Sequence, residues 1–321
     1  MLFDTPDWAR RHNFFHHSNP RSKDRAKAIF EKTHVRPKVK LAKSVLRQTA
    51  ATPEEIAEAE EILATYDTNR SSANMAAGIA VQDACNLHLI PDDDYRQSLS
   101  VTEAQFVARK TLQKYQPKNF RDAVLQDDSE RKEQYLTEIE AVTAHAIMGL
   151  KEAMRHDNLI IGETEYLKVL KDCVLPYNTL PDYGRRGDLK TKWSRPAKKK
   201  DGTRTWHTQS LPSSLSGEYD MNNVFQVAGF WACNNGLPPF LVYANKTDYK
   251  VFTKHNAPEL TLQSLKDHVR EICIQSKTTE SLLRAAEDKQ ALLSLCAPDW
   301  KSITWKEPPA YIEAAKKMWG Y

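Results

Sequence analysis

The stretch Gly187-Asp188-Leu189-Lys190-Thr191-Lys192-Trp193 carries residue types and a spacing that can do chemistry. Read as a β-strand, it alternates side chains between two faces, placing Asp188 and Lys190 on one and Leu189 and Thr191 on the other. A carboxylate and an ammonium then project side by side. Together they suit metal-dependent attack on a phosphodiester: the carboxylate can hold a hard cation such as Mg²⁺, and the lysine can steady the attacking water or the charge growing on phosphate. On an exposed strand the same two residues would be only a surface ion pair, which contributes little. Their neighbours decide between the two readings.

Those neighbours are basic. From Gly184 to Arg204 the chain holds Arg185, Arg186, Lys190, Lys192, Arg195, Lys198, Lys199, Lys200 and Arg204 against Asp188 and Asp201, with Trp193 and Trp206 interleaved. Such a run is either a solvated loop or a patch for a phosphate backbone with stacked bases. The whole chain is only mildly basic, with a net charge of +4 over 321 residues. Its 40% hydrophobic and 27% charged residues are ordinary for a globular protein and speak against a disordered or fibrous one. Nowhere do roughly 18 apolar residues run together, and Met1 to Arg11 lacks a signal-peptide apolar segment, so neither a membrane span nor export is expected. Five cysteines, odd in number and without a C-x₂-C pair, argue against a disulfide framework or a zinc site and for reduced thiols in the cytoplasm.

Elements that would position the strand can be read in chain order. A polar arm bearing His12, His16 and His17 leads to a short helix near 24–32. Thr52-Pro53-Glu54-Glu55 is an N-cap with proline in the first turn, starting a helix that ends near Tyr66. Further helices are predicted over 73–89, 102–114 and 130–155. The period then changes: 158–170 and 173–180 read as strands. The turn Pro181–Gly184 would send the Asp188 strand back antiparallel. A long loop from Arg195 to Asp220, with a β excursion near 203–209, precedes a helix over 222–233. Strands at 240–244 and 249–253 flank the turn Asn245–Asp248, and helices near 260–286, 287–295 and 309–319 follow. The fold class is α+β, divided into an N-terminal arm and helices (1–70), a core (71–260) and C-terminal helices packed on it (261–321).

This order, with Asp188-Leu189-Lys190-Thr191 on a strand and Gln226-Val-Ala-Gly-Phe230 on the next helix, resembles the PD-(D/E)XK nuclease superfamily in its RecB-like, phage-type exonuclease branch. Leu241-Val242-Tyr243 fits the strand that follows, and Gly78 to Ala84 is similar to the branch's G-x-x-x-H helix with Gln82 in the histidine place. Glu163 and Glu165 share a face of the first strand. The resemblance spans about 73–253. It implies a restriction-endonuclease-like core, a central mixed sheet flanked by helices. It also implies a Mg²⁺ or Mn²⁺ site made by Asp188, the Leu189 carbonyl and Glu165 or Asp182, with Asp172 a further candidate. Lys190 would orient water and Gln226 would hold the site. Arg185, Arg186, Lys192, Trp193, Arg195, Lys198, Lys199, Lys200, Gln82, Phe230 and Trp231 would meet DNA. The chain departs from the pattern in the closeness of Asp182 to Asp188, in Phe230 for tyrosine and in Gln82 for histidine. The cysteine spacing matches no iron–sulfur cluster of the branch, so none is expected. His145 reads as a structural histidine. Glu218 and Asp220 read as helix N-terminal acids outside the site.

The implied function is a metal-dependent deoxyribonuclease, an exonuclease before an endonuclease, in phage or bacterial DNA replication, recombination or repair. Its partners would be DNA and possible replication or recombination proteins. The alternatives are a non-catalytic DNA-binding replication accessory protein on a degenerate nuclease fold, and an interaction protein working through its helical N-terminal half.

Overall fold

The computed structural model describes residues 25–48, 50–66, 72–90, 97–117, 122–155, 166–174, 176–183, 186–198, 203–301, 305 and 307–321. The chain divides into two compact units, one of 1–69, 169–177 and 272–321, the other of 70–168 and 178–271. The C-terminal helices, expected as a third segment on the core, group instead with the N-terminal ones.

Helices α1 (Arg25–Phe30) and α2 (Arg36–Val45) are joined by the wider π-helical turn Glu31–Val35, and α3 (Pro53–Tyr66) follows. The start of α3 is set by a reciprocal cap. The Glu55 amide donates to Thr52 Oγ1 and the Thr52 amide to Glu55 Oε2, at 3.2 and 2.8 Å.

In the larger unit α4 (Ala73–Leu89) begins at Ser72, whose hydroxyl accepts from the Met75 amide, and α5 (Val101–Lys114) begins with a Ser100–Glu103 capping box. Ala73, Ala77, Ala80 and Ala84 form a buried small-residue stripe on α4. They pack in one core with Tyr135, Ile139, Val142, Ala146 and Leu150 of α6 (Asp122–Ala153). The remaining elements are β1 (Tyr166–Val169), β2 (Pro176–Thr179), β3 (Gly187–Thr191), β4 (Arg195–Lys198), β5 (Arg204–His207), α7 (Glu218–Cys233), β6 (Phe240–Ala244), β7 (Tyr249–Phe252), α8 (Leu262–Ala285), α9 (Lys289–Ser294) and α10 (Pro309–Met318). The architecture is α+β with a mixed three-stranded sheet in the order β3-β6-β7.

β3 runs parallel to β6, pairing Asp188 with Leu241 and Lys190 with Tyr243, and β7 is antiparallel to β6. A parallel pair needs a long crossover. Here it is the β4–β5 hairpin followed by α7. The close approach of the two strands requires glycine at 187, where a Cβ would come within 2.0 Å of the Phe240 ring. One sheet face buries Phe240, Val242 and Ala244 against α4 to α6; the other buries Leu241, Tyr243 and Phe252 against Val224, Val227, Ala228 and Phe230 of α7.

Two expectations change. β2 does not ladder onto β3: β1 pairs with β2, and β3 meets the preceding segment only at the bridge Tyr183–Gly187. The tight turn consumes the backbone groups that a ladder would need, since the Gly187 amide donates to the Tyr183 carbonyl at 2.7 Å and the Gly187 carbonyl accepts from the Asp182 and Tyr183 amides. The expected long loop also contains a hairpin, with Arg195 opposite His207 and Lys198 opposite Arg204. Among the described residues no helix is long and apolar enough to cross a membrane.

Candidate active site

Asp188 and Lys190 emerge from β3 on the side covered by α7. Asp188 is 2% exposed, whereas Lys190 is half-buried. Lys190 Nζ lies 2.5 Å from Asp188 Oδ2 and donates to Gln226 Oε1 at 3.0 Å. Asp188 Oδ2 receives no aligned hydrogen bond, so the contact between the two is a charge pair. Burying a carboxylate costs several kcal/mol unless it is paired, and Lys190 is the described partner.

The helix meets the strand along a polar edge. Asp220, Asn223 and Gln226 recur every three residues and so share one side of α7. Gln226 reaches Lys190; Asn223 Nδ2 donates to the Tyr243 hydroxyl at 2.8 Å; Asp220 Oδ1 lies 3.7 Å from Lys192 Nζ. Lys192 also stands 5.3 Å from the Tyr243 ring centroid, a cation–π distance. Burial pushes the Tyr243 hydroxyl up, and the carboxylates of Asp220 and Asp188 push it further, against the opposing hydrogen bond from Asn223. Tyr243 is therefore a neutral phenol between two acids. Asp220 sits three residues past the N-cap Gly217, which suits the helix dipole. It also belongs to this polar strip, which the sequence reading missed together with Asn223 and Tyr243. The signal was the three-residue spacing of Asp220, Asn223 and Gln226 along the helix.

Asp182 is half-buried at the tight turn. It lies, with Asp188 and with Asp83 and Cys85 of α4, close enough to act on the fully buried Tyr183 phenol, whose ionisation burial and these groups oppose. Asp83, next to Gln82, was not foreseen. α4 reaches β3 at Gly78, where a Cβ would stand 3.4 Å from Thr191 Oγ1, and the half-buried Gln82 follows one helical turn later. Asp172 belongs to the other unit, where it pairs with Lys277 at 3.5 Å. His145 accepts its structural role, with Nδ1 2.9 Å from the Asn245 carbonyl oxygen.

Several expected DNA contacts are corrected. Trp193 is 1% exposed, packs 4.9 Å from the Tyr135 ring and donates from Nε1 to Thr191 Oγ1; it is a core residue unavailable to bases. Phe230 is fully buried under β6, so it too cannot stack on DNA. Arg186 donates to the Pro238 carbonyl at 2.6 Å and lies over Phe240, fastening the loop before β6 instead of reaching outward. Arg204 is held by Asp127 and Glu130 and lies over Trp206. Trp231 is half-buried and Arg195 is exposed. Leu189 is half-buried against the helical core. Glu163, Glu165, Arg185, Lys199, Lys200 and the arm histidines lie outside the described residues, as does the Lys198 side chain. Among the described residues no group of three or more His, Cys, Asp or Glu is arranged to hold a metal ion. Comparison with protein-family profiles, with curated proteins and with solved structures finds no significant match.

Proposed function

We propose that the chain is a metal-dependent deoxyribonuclease, an exonuclease acting on phage or bacterial DNA, built on a restriction-endonuclease-like core in its larger unit. One observation carries the reading. Lys190 Nζ contacts both the buried carboxylate of Asp188 and the amide of Gln226, on a strand that runs parallel to its neighbour through the helix that supplies the glutamine. Asp-x-Lys and a helical Gln are the residues on which the sequence resemblance rests.

The donor chemistry of Asp188 supports a hard cation as the partner that would replace Lys190 on its carboxylate. Asp188 offers a buried oxygen without an aligned hydrogen bond, and Mg²⁺ is commonly held by one or two carboxylates with water and substrate phosphate completing its shell. Asp188 would hold it with Asp182 or Glu165 and the Leu189 carbonyl. When bound, the ion supplies an acidified water and offsets charge on phosphate. Lys190, steadied by Gln226, orients the attacking water. Arg195, with Lys198, Lys199 and Lys200, meets the DNA backbone, an affinity that falls steeply with salt.

The short Lys190–Asp188 contact favours one second reading. The lysine already neutralises the carboxylate, so a chain that binds DNA without cutting it could keep this pair as its fixed form.

The test is nucleotide release from end-labelled linear DNA and nicking of closed circular DNA, with Mg²⁺, Mn²⁺ or EDTA. Metal-dependent loss of the linear substrate alone, absent in Asp188→Ala, is the expected result. Binding of both DNAs with cleavage of neither would replace the nuclease by the second reading.

A further inference from the structure

The five cysteines divide into two kinds. Cys85, Cys233 and Cys296 are buried, whereas Cys173 and Cys273 are half-exposed and lie together in the smaller unit. The Cys173 thiol donates to the Cys273 carbonyl oxygen, with Sγ at 3.9 Å, and the two thiols lie near enough to act on each other's ionisation.

The contact is held from both sides. Cys173 lies in the turn between β1 and β2, where Asp172 takes a left-handed backbone (φ 62°) and the Cys173 amide closes on the Leu170 carbonyl at 3.0 Å. On one flank Asp172 pairs with Lys277, and on the other the Val174 amide donates to the buried Glu280 at 2.7 Å. Lys277 stands one helical turn beyond Cys273 on α8, so these anchors fix the turn over the cysteine. Chance proximity of two mobile thiols would not need three contacts to the same helix.

We propose that Cys173 and Cys273 are a redox pair that closes to a disulfide when the protein meets hydrogen peroxide, stapling the β1–β2 turn to α8. One thiolate attacks a peroxide oxygen, the O–O bond breaks, and hydroxide leaves to give a sulfenic acid. The second thiol loses its proton and attacks that sulfur, and water leaves as the S–S bond forms. Two electrons pass from the sulfurs to peroxide, with two waters formed from two thiols and one peroxide. Burial pushes both thiols up, that of Cys173 to about 12, and the Glu280 carboxylate adds to this, while Lys277 acts in the opposite sense at both positions. The pair is consequently a slow, proximity-driven one and not an activated nucleophile. The inference stands independently of any nuclease activity, and it revises the expectation that all thiols remain reduced.

The experiment treats the full native chain with excess hydrogen peroxide, alkylates remaining thiols and maps tryptic peptides. The expected product joins peptide 172–185 to peptide 271–277, with two thiols lost, three still alkylated after unfolding, and reversal by dithiothreitol. Cys173→Ser and Cys273→Ser each abolish the link, and the lone partner is trapped as a sulfenic acid by dimedone. The proposal is overturned if native protein oxidises without that link, if other cysteines pair instead, or if the link forms only in urea.

Discussion

The two faces of β3 are two different regions of the molecule separated by the thickness of one strand. On one, Leu189, Thr191 and then Trp193 continue the apolar core of α4 to α6. On the other, Asp188, Lys190 and Lys192 meet Gln226, Asp220 and Tyr243. The first face binds the strand into the unit through packing; the second holds charges that packing alone would reject. Because side chains alternate strictly, adjacent residues should behave differently on mutation, and that separation can be tested.

The largest stability effect belongs to the apolar face. Trp193→Ala removes one of the largest fully buried side chains and is expected to cost about 3–5 kcal/mol in denaturant unfolding. A loss below about 1 kcal/mol would show that this face is not the one that holds the strand. Gly187→Ala comes next, because its Cβ would fall 2.0 Å from the Phe240 ring where β3 and β6 approach. Overpacking of about 1–3 kcal/mol is expected, and a neutral result would mean that the strand pair can part without cost.

A third prediction uses pH. Glu138, on α6, is buried, which works against its charge. Hydrogen bonds from the Ser194 amide and Gln134, with the Lys246 ammonium, outweigh this and hold its pKa below the ordinary 4.5. A depressed folded-state pKa contributes stability that is fully present above the unfolded value. That contribution is lost as pH falls from about 4.5 through the folded value. Glu138→Gln should flatten that acid limb of the stability curve; an unchanged limb would assign acid unfolding to other groups.

The smallest stability effect is expected on the polar face. Asp188→Asn keeps the shape, removes a buried charge and leaves a lysine that reaches solvent, so unfolding should shift by no more than about 1 kcal/mol. A loss as large as that of Trp193→Ala would make the Asp188–Lys190 pair a structural one and collapse the contrast between the faces.

What was legible in the sequence follows from local rules. The cap at Thr52 marks a helix start, and period-2 alternation places Asp188 with Lys190. The same alternation also places Trp193 with Leu189 and Thr191 on the core side, yet its basic neighbours made it read as a base-stacking residue. Phe230 does share the Gln226 face of α7, one turn further on, but there the helix packs in the cluster with Leu241, Tyr243 and Phe252, so the ring is buried. The Asp220–Tyr243 proximity joins residues far apart in sequence, which no local pattern encodes, whereas the β4–β5 hairpin is local and only its second strand, near 203–209, shows in the sequence. The missing β2–β3 ladder turns on how one tight turn uses its backbone groups.

The most direct test of the central claim is to measure DNA cleavage and DNA affinity together for wild type and Lys190→Ala, in Mg²⁺ at fixed salt. The account predicts that cleavage disappears while affinity changes little, because the lysine acts on water beside Asp188 and the basic loop holds the backbone. Equal loss of cleavage and binding in a folded variant, or cleavage that survives, would contradict it.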